Sequence, residues 1–145
     1  MQVQRFGDRY QVRLESGEQV QAALLPWLAR QGIGFAAVSG LGAFSRITLS
    51  YWNADAREYE THQRDEQMEV ISLVGNVTLK EDAPFLHLHV ALGRRDLSVI
   101  GGHFNDAVVH PTLELWLRPE EQPVRRVPDA QSGLSLMDLP RASEV

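Results

Sequence analysis

Apolar and polar residues alternate with a period of two along most of this chain, and one early stretch departs from that rhythm. Residues 6–14 alternate loosely, with Tyr10, Val12 and Leu14 on one side, and predict a first strand. The period then lengthens: Val20, Leu24, Trp27 and Leu28 recur at i, i+4, i+7 and i+8, the apolar stripe of a helix. Ser16, with Gln19 three residues on, has the form of a capping box, and Gly32 or Gly34 offers a left-handed end. Pro26 lies inside the stripe and cannot donate to the carbonyl of Ala22, so a kink or a late start is expected.

The two-residue period returns afterwards. Residues 35–39 predict a short buried strand. Gly40-Leu41-Gly42 predicts a tight turn or bulge rather than a phosphate cradle, because no helix start follows it. Residues 44–52 form a strand pattern with Ile47, Leu49 and Tyr51 on one face, and the polar residues 53–65 read as a hairpin connection or exposed edge strand with His62 in solvent. Residues 68–79 are the longest strand-like run, which Gly75-Asn76 bends or divides. Residues 85–92 and 97–100 flank the turn signal Gly93-Arg94-Arg95-Asp96 and predict a hairpin. Residues 107–111 lead into 112–117, where Leu113, Leu115 and Leu117 oppose Thr112, Glu114 and Trp116. From Arg118 onward proline and charge dominate, which predicts a core domain over 1–118 and an arm over 119–145, partly docked through Gly133-Leu134-Ser135-Leu136. One main helix and six to seven strands joined by short turns predict an α+β fold with a largely antiparallel mixed sheet.

Composition narrows the classes. At 145 residues and 43% hydrophobic, the chain suits one domain with one core. The absence of cysteine excludes disulfides and thiolate metal sites. No apolar run approaches the ~20 residues of a membrane span, and residues 1–8 lack the apolar core of a signal peptide, so a cytoplasmic protein without membrane contact is expected. A net charge of −5 leaves no surplus of cations for phosphates, and nucleic-acid binding by the chain alone is expected to be weak.

The chemistry-bearing residues sit in the predicted hairpin. His87 and His89 are two apart and share a face, while Leu86, Leu88 and Val90 take the other. A turn centred on Arg94 and Arg95 brings His103 roughly opposite His87, and a one-residue slip at Gly101-Gly102 corrects its face. Three converging neutral imidazoles suit a divalent metal, zinc first, with a fourth position open to water, a small ligand or a neighbouring subunit. The plainer alternative is three polar residues on a half-exposed face. Glu69 is a candidate hydrogen-bond partner for a ligating imidazole, or else simply the exposed start of its strand. If bound water reacts, Glu69 or Glu114 is the candidate base.

In order and spacing, residues 38–43, 68–75, Pro84-Phe85-Leu86-His87-Leu88-His89-Val90, Gly101-Gly102-His103-Phe104 and the strand with Glu114 resemble the plant-and-prokaryote conserved (PPC) domain. The resemblance extends over most of residues 5–139, including Arg126 and residues 133–136 as a closing segment. It implies a mixed α/β fold and a homotrimer, and it carries the family histidines onto His87, His89 and His103 as a metal site. Plant members accompany AT-hooks in nuclear DNA-binding proteins, whereas bacterial and archaeal members stand alone and are described as candidate DNA-binding proteins. This chain has no Arg-Gly-Arg-Pro hook, and it carries Glu66-Gln67-Met68-Glu69 where plant members carry Gly-Arg-Phe-Glu. Arg94-Arg95 and Arg125-Arg126 read as solvated turn and tail pairs. Two readings follow. The first is a regulatory metal- or ligand-binding trimer that reaches DNA weakly or through a partner. The second is a metal-dependent enzyme acting on an unidentified small molecule, disfavoured because no second acid, nucleophile or substrate clamp stands out.

Overall fold

The structure, a computed structural model, describes residues 1–144. Strands β1 (Gln2–Phe6) and β2 (Arg9–Glu15) precede helix α1 (Val20–Gln31). They are followed by β3 (Ala36–Asn53), β4 (Glu58–Arg64), β5 (Met68–Lys80), β6 (Ala83–Gly93), β7 (Val99–Pro119), β8 (Arg126–Pro128) and β9 (Ser135–Met137). Seven strands pair in the order β1-β2-β7-β6-β5-β3-β4, every pairing antiparallel. Because β7 also pairs with β3, strands β3, β5, β6 and β7 close a hydrogen-bonded circuit. The expected α+β architecture with one main helix is the one observed.

The circuit depends on two long, bent strands where the sequence suggested several short ones. β3 runs for 18 residues through Gly40-Leu41-Gly42, which is a bulge within the strand and not a turn. β7 runs for 21 residues without a break. Glycine permits the crossings: a Cβ at Gly42 would stand 2.3 Å from the Thr112 carbonyl oxygen, and one at Gly75 would stand 2.0 Å from that of His87. β5 therefore continues through Gly75-Asn76 and is not divided there.

Inside the circuit, Phe44, Ile47, Leu73, Leu88, Leu92, Leu113 and Leu115 are fully buried. Each contributes about 1.5–3 kcal/mol relative to an exposed side chain. The α1 stripe of Val20, Leu24, Trp27 and Leu28 joins this core, with Trp27 edge-on to Tyr10 at 5.2 Å. The helix ends as expected, with Gly32 left-handed at φ 67°. Its start differs. Ser16 does not cap it; its hydroxyl pairs with His110 Nδ1 at 2.8 Å, while Asp106 Oδ1 on β7 accepts the Gln21 N–H at 3.1 Å. A carboxylate from the sheet thus does what a local cap would. The first expected strand is also two, because Gly7 turns at φ 61° and folds β1 onto β2.

After β7 the chain crosses back over β5. Leu79 N–H donates to the Val124 carbonyl at 2.8 Å, and Val124 N–H to that of Gly34 at 3.3 Å. β8 and β9 form a small antiparallel hairpin above β5, and Asp138 N–H donates to the Arg125 carbonyl at 2.9 Å. Among the described residues, no helix is long and apolar enough to cross a membrane.

Candidate metal centre and adjoining cavity

β6 buries Leu86, Leu88, Val90 and Leu92 and turns His87 and His89 the other way. β7 pairs with it in unbroken register, His89 opposite His103 and Gly93 opposite Val99, so the turn centres on Asp96 and not on Arg94-Arg95. The loop is closed by Arg94 N–H to the Ser98 carbonyl and Leu97 N–H to the Arg94 carbonyl, both 2.9 Å. Asp96 Oδ1 accepts the Ser98 N–H at 3.0 Å and its hydroxyl at 2.6 Å. Directly paired residues share a face, so no slip at Gly101-Gly102 is needed to aim His103. Those glycines serve close approach instead. A Cβ at Gly101 would lie 2.5 Å from the Val90 carbonyl oxygen, and one at Gly102 would lie 3.0 Å from that of Ser50.

The three imidazoles form a nearly equilateral triangle, with centroids 5.4 Å (His87–His89), 5.3 Å (His87–His103) and 5.4 Å (His89–His103) apart. One nitrogen from each lies within 4.8 Å of the others. His87 and His103 are half-buried and His89 is exposed. Burial first, then the Arg126 charge and the neighbouring imidazoles, push the His87 pKa down to about 4. Burial also lowers that of His103. His87 is therefore neutral at pH 7, the form a metal requires, and three imidazoles spaced this closely suit a zinc-like ion.

Arg126 was expected to be a solvated tail residue, yet β8 places it against the imidazoles. Its Nε donates to Thr78 Oγ1 at 3.0 Å, Nη1 to the Ser135 carbonyl at 3.0 Å, and Nη2 to Asn76 Oδ1 at 3.2 Å and His87 Nδ1 at 2.7 Å. A guanidinium only donates, so His87 Nδ1 accepts and its proton sits on Nε2. A neutral imidazole in that state has no free lone pair. Ligation by His87 through either nitrogen therefore requires Arg126 to let go. No spacing rule marks Arg126; only the family's closing segment points to it.

Beside the histidines, between the sheet and the β8–β9 hairpin, lies a cavity of about 530 Å³. Trp52, Tyr59 and Phe85 form its aromatic wall, Tyr59 standing 5.0 Å from His103 and 4.9 Å from Trp52. Arg57, Lys80 and Arg126 face it, with Glu58 as its one lining carboxylate. Asn105 also lines it, and its Oδ1 is buried without a hydrogen-bond partner. Of the remaining sequence candidates, Glu69 is exposed opposite Gly93, and Glu114 lies between Arg13 and Leu41. Neither joins the imidazole group. Arg94 is no free turn cation, since it grips Glu66 through Nε at 3.0 Å and Nη2 at 3.3 Å. His62 is exposed on β4, as expected.

The sequence matches the family model described as the Plants and Prokaryotes Conserved (PCC) domain over residues 1–119. Three solved structures show how far the likeness extends. A metal-containing protein from Archaeoglobus fulgidus is 32% identical, with TM-score 0.85 over 96% of this chain and 100% of the other. A plant- and prokaryote-conserved (PPC) protein from Pyrococcus horikoshii is 28% identical, with TM-score 0.84 over 97% and 95%. A protein from Bacteroides thetaiotaomicron described as a candidate DNA-binding protein is 27% identical, with TM-score 0.90 over 94% and 96%. No curated protein matches the chain.

Proposed function

The chain belongs to the Plants and Prokaryotes Conserved (PCC) domain family, and from that premise we propose that it is a metal- and ligand-binding module. In this reading His87, His89 and His103 hold one divalent ion, zinc by preference, in a homotrimer that meets DNA weakly or through a partner. The observation that carries it is the triangle of imidazoles, whose nitrogens lie within 4.8 Å of one another on two rigid strands. The metal-containing relative supports it. When bound, such an ion supplies a positive centre with a coordination position left for a ligand. The protein's own share is to hold two imidazoles half-buried and neutral and to present a cavity beside them.

The trimer is supported by apolar surface around the site. Val74 (51% exposed) stands opposite His89, Val99 (58%) opposite Gly93, and Ile71 (57%) lies close by on β5. Apolar side chains on paired strands beside an exposed ligand are suited to burial by further copies of the chain. For DNA, the relative described as a candidate DNA-binding protein is the support. The net charge of −5 argues that any such contact is weak.

Elemental analysis and zinc titration of purified protein test the metal. About one ion per chain is expected, His89→Ala should abolish binding with the fold intact, and His62→Ala should change nothing. Wild-type protein with no bound ion and no heat-stability gain from added zinc, nickel or manganese would end the proposal. Light scattering under the same conditions should give three times the chain mass. A metal-dependent enzyme stays as the second reading because Glu58 lines the same cavity as His87 and His103 and is the carboxylate placed to take a proton there.

A further inference from the structure

We infer that the cavity beside the histidines receives a small organic anion bearing a hydrogen-bond donor next to its charged group and a flat apolar body. This deepens the metal-binding reading and rests on it only for the ion that would lie alongside.

The charge distribution points there first. The whole chain carries −5, yet this one cavity is faced by Arg57, Lys80 and Arg126 against Glu58 alone. Among the described residues, none of the three cations forms an ion pair. Arg57 Nη2 donates to the carbonyls of Ala130 at 2.6 Å and Gln131 at 3.2 Å. Lys80 Nζ lies 5.6 Å from the Phe85 ring centroid, and the Arg126 guanidinium lies at the same distance from it. Every partner of Arg126 is neutral. A half-buried guanidinium without a counter-ion attracts an anion that can reach it, and the attraction strengthens as water is displaced.

The second requirement comes from Asn105. β7 pairs Phe104 with Leu49 and Asp106 with Thr48, which leaves Asn105 as the extra residue of a bulge. Bulges re-aim single side chains; Asn105 lines the cavity, and its amide oxygen is buried and unpartnered beside it. Such an oxygen accepts, so the ligand must donate; a carboxylate cannot, whereas an adjacent hydroxyl or amino group can. The walls of Trp52, Tyr59 and Phe85 fit an apolar, flat body, and a cavity of about 530 Å³ is the size of small-molecule sites.

Mandelate has all three features; mandelamide lacks the charge and phenylacetate lacks the hydroxyl. Calorimetric titration of the full chain, once stripped with EDTA and once zinc-loaded, should show mandelate binding about tenfold or more tighter than mandelamide in both states. Arg126→Met and Lys80→Met should each shrink that ratio severalfold. Lys80→Met guards against a folding defect at Arg126, since Lys80 is exposed and its ammonium, among the described residues, makes no hydrogen bond or ion pair and lies over the Phe85 ring. Asn105→Ala should erase the preference for mandelate over phenylacetate. Equal affinity for mandelate and mandelamide, or a ratio that neither cation variant lowers, overturns the inference. So does a preference confined to zinc-loaded protein, because the ion and not the cavity would then be its source. Displacement of mandelate by a single-stranded oligonucleotide at submicromolar concentration would overturn the small-ligand assignment. Charge-dependent mandelate binding to protein that takes up no zinc would retain this inference and remove only the metal.

Discussion

Arg126 and His87 share one hydrogen bond that the metal-bound state cannot keep, since a neutral imidazole that accepts from a guanidinium has no lone pair left for an ion. Arg126→Met should therefore tighten zinc binding by about tenfold, the order expected when a competing charge-assisted hydrogen bond and a nearby like charge are both removed. Competition against a chromophoric chelator reads this directly, and weaker zinc binding in the variant would refute it. His87 makes a further prediction for metal-free protein. Its pKa is held down to about 4, against about 6.5 for an unperturbed histidine. Between those values the folded chain keeps it neutral while the unfolded chain protonates it, so the unfolded state binds more protons and stability falls as pH falls. Thermal melts of EDTA-treated protein should lose Tm from pH 7 towards pH 4.5, and His87→Phe should flatten the slope. For the same reason, loss of zinc affinity through protonation of His87 and His103 should begin below pH 6.5, the ordinary histidine value.

Among the elements, β6 carries two of the three imidazoles and lies in near contact with β5. The carbonyl of His87 lies where a Cβ of Gly75 would be, and Asn76 and Val74 flank that point opposite His87 and His89. Gly75→Val would force the two strands apart, at a cost of about 1–3 kcal/mol or more. Ser72→Val, on the same strand but exposed, should stay within about 0.5 kcal/mol of wild type. Urea denaturation distinguishes the two, and equal midpoints would show that the crossing tolerates a side chain. Loss of zinc binding in Gly75→Val before loss of fold would show that the contact sets the imidazole spacing as well as stability.

For the molecule as a whole, charge is the property that limits function. With a net charge of −5, the isolated domain should bind duplex DNA no better than the nonspecific range of roughly 10⁻⁴–10⁻⁶ M at physiological salt. Fluorescence anisotropy with a labelled duplex checks this. Nanomolar, salt-resistant binding would refute it.

Local patterning alone determined a good deal. Period-two alternation marked the core faces of β2, β6 and β7, the i, i+4, i+7, i+8 stripe marked α1, and the paired histidines marked the site, because each depends on neighbours a few residues apart. The family resemblance supplied Arg126 as part of a closing segment without saying what it touches. Tertiary structure decided the rest. It set the turn on Asp96 through a loop hydrogen-bond pattern that the Arg94-Arg95 signal does not encode. It joined residues 36–53 and 99–119 into single bent strands because glycine allows backbones to meet, and it capped α1 with Asp106 from β7. It also placed Arg126 on His87, 39 positions away. Contacts between residues far apart in the chain depend on how the strands close on one another, and no local period records that closure.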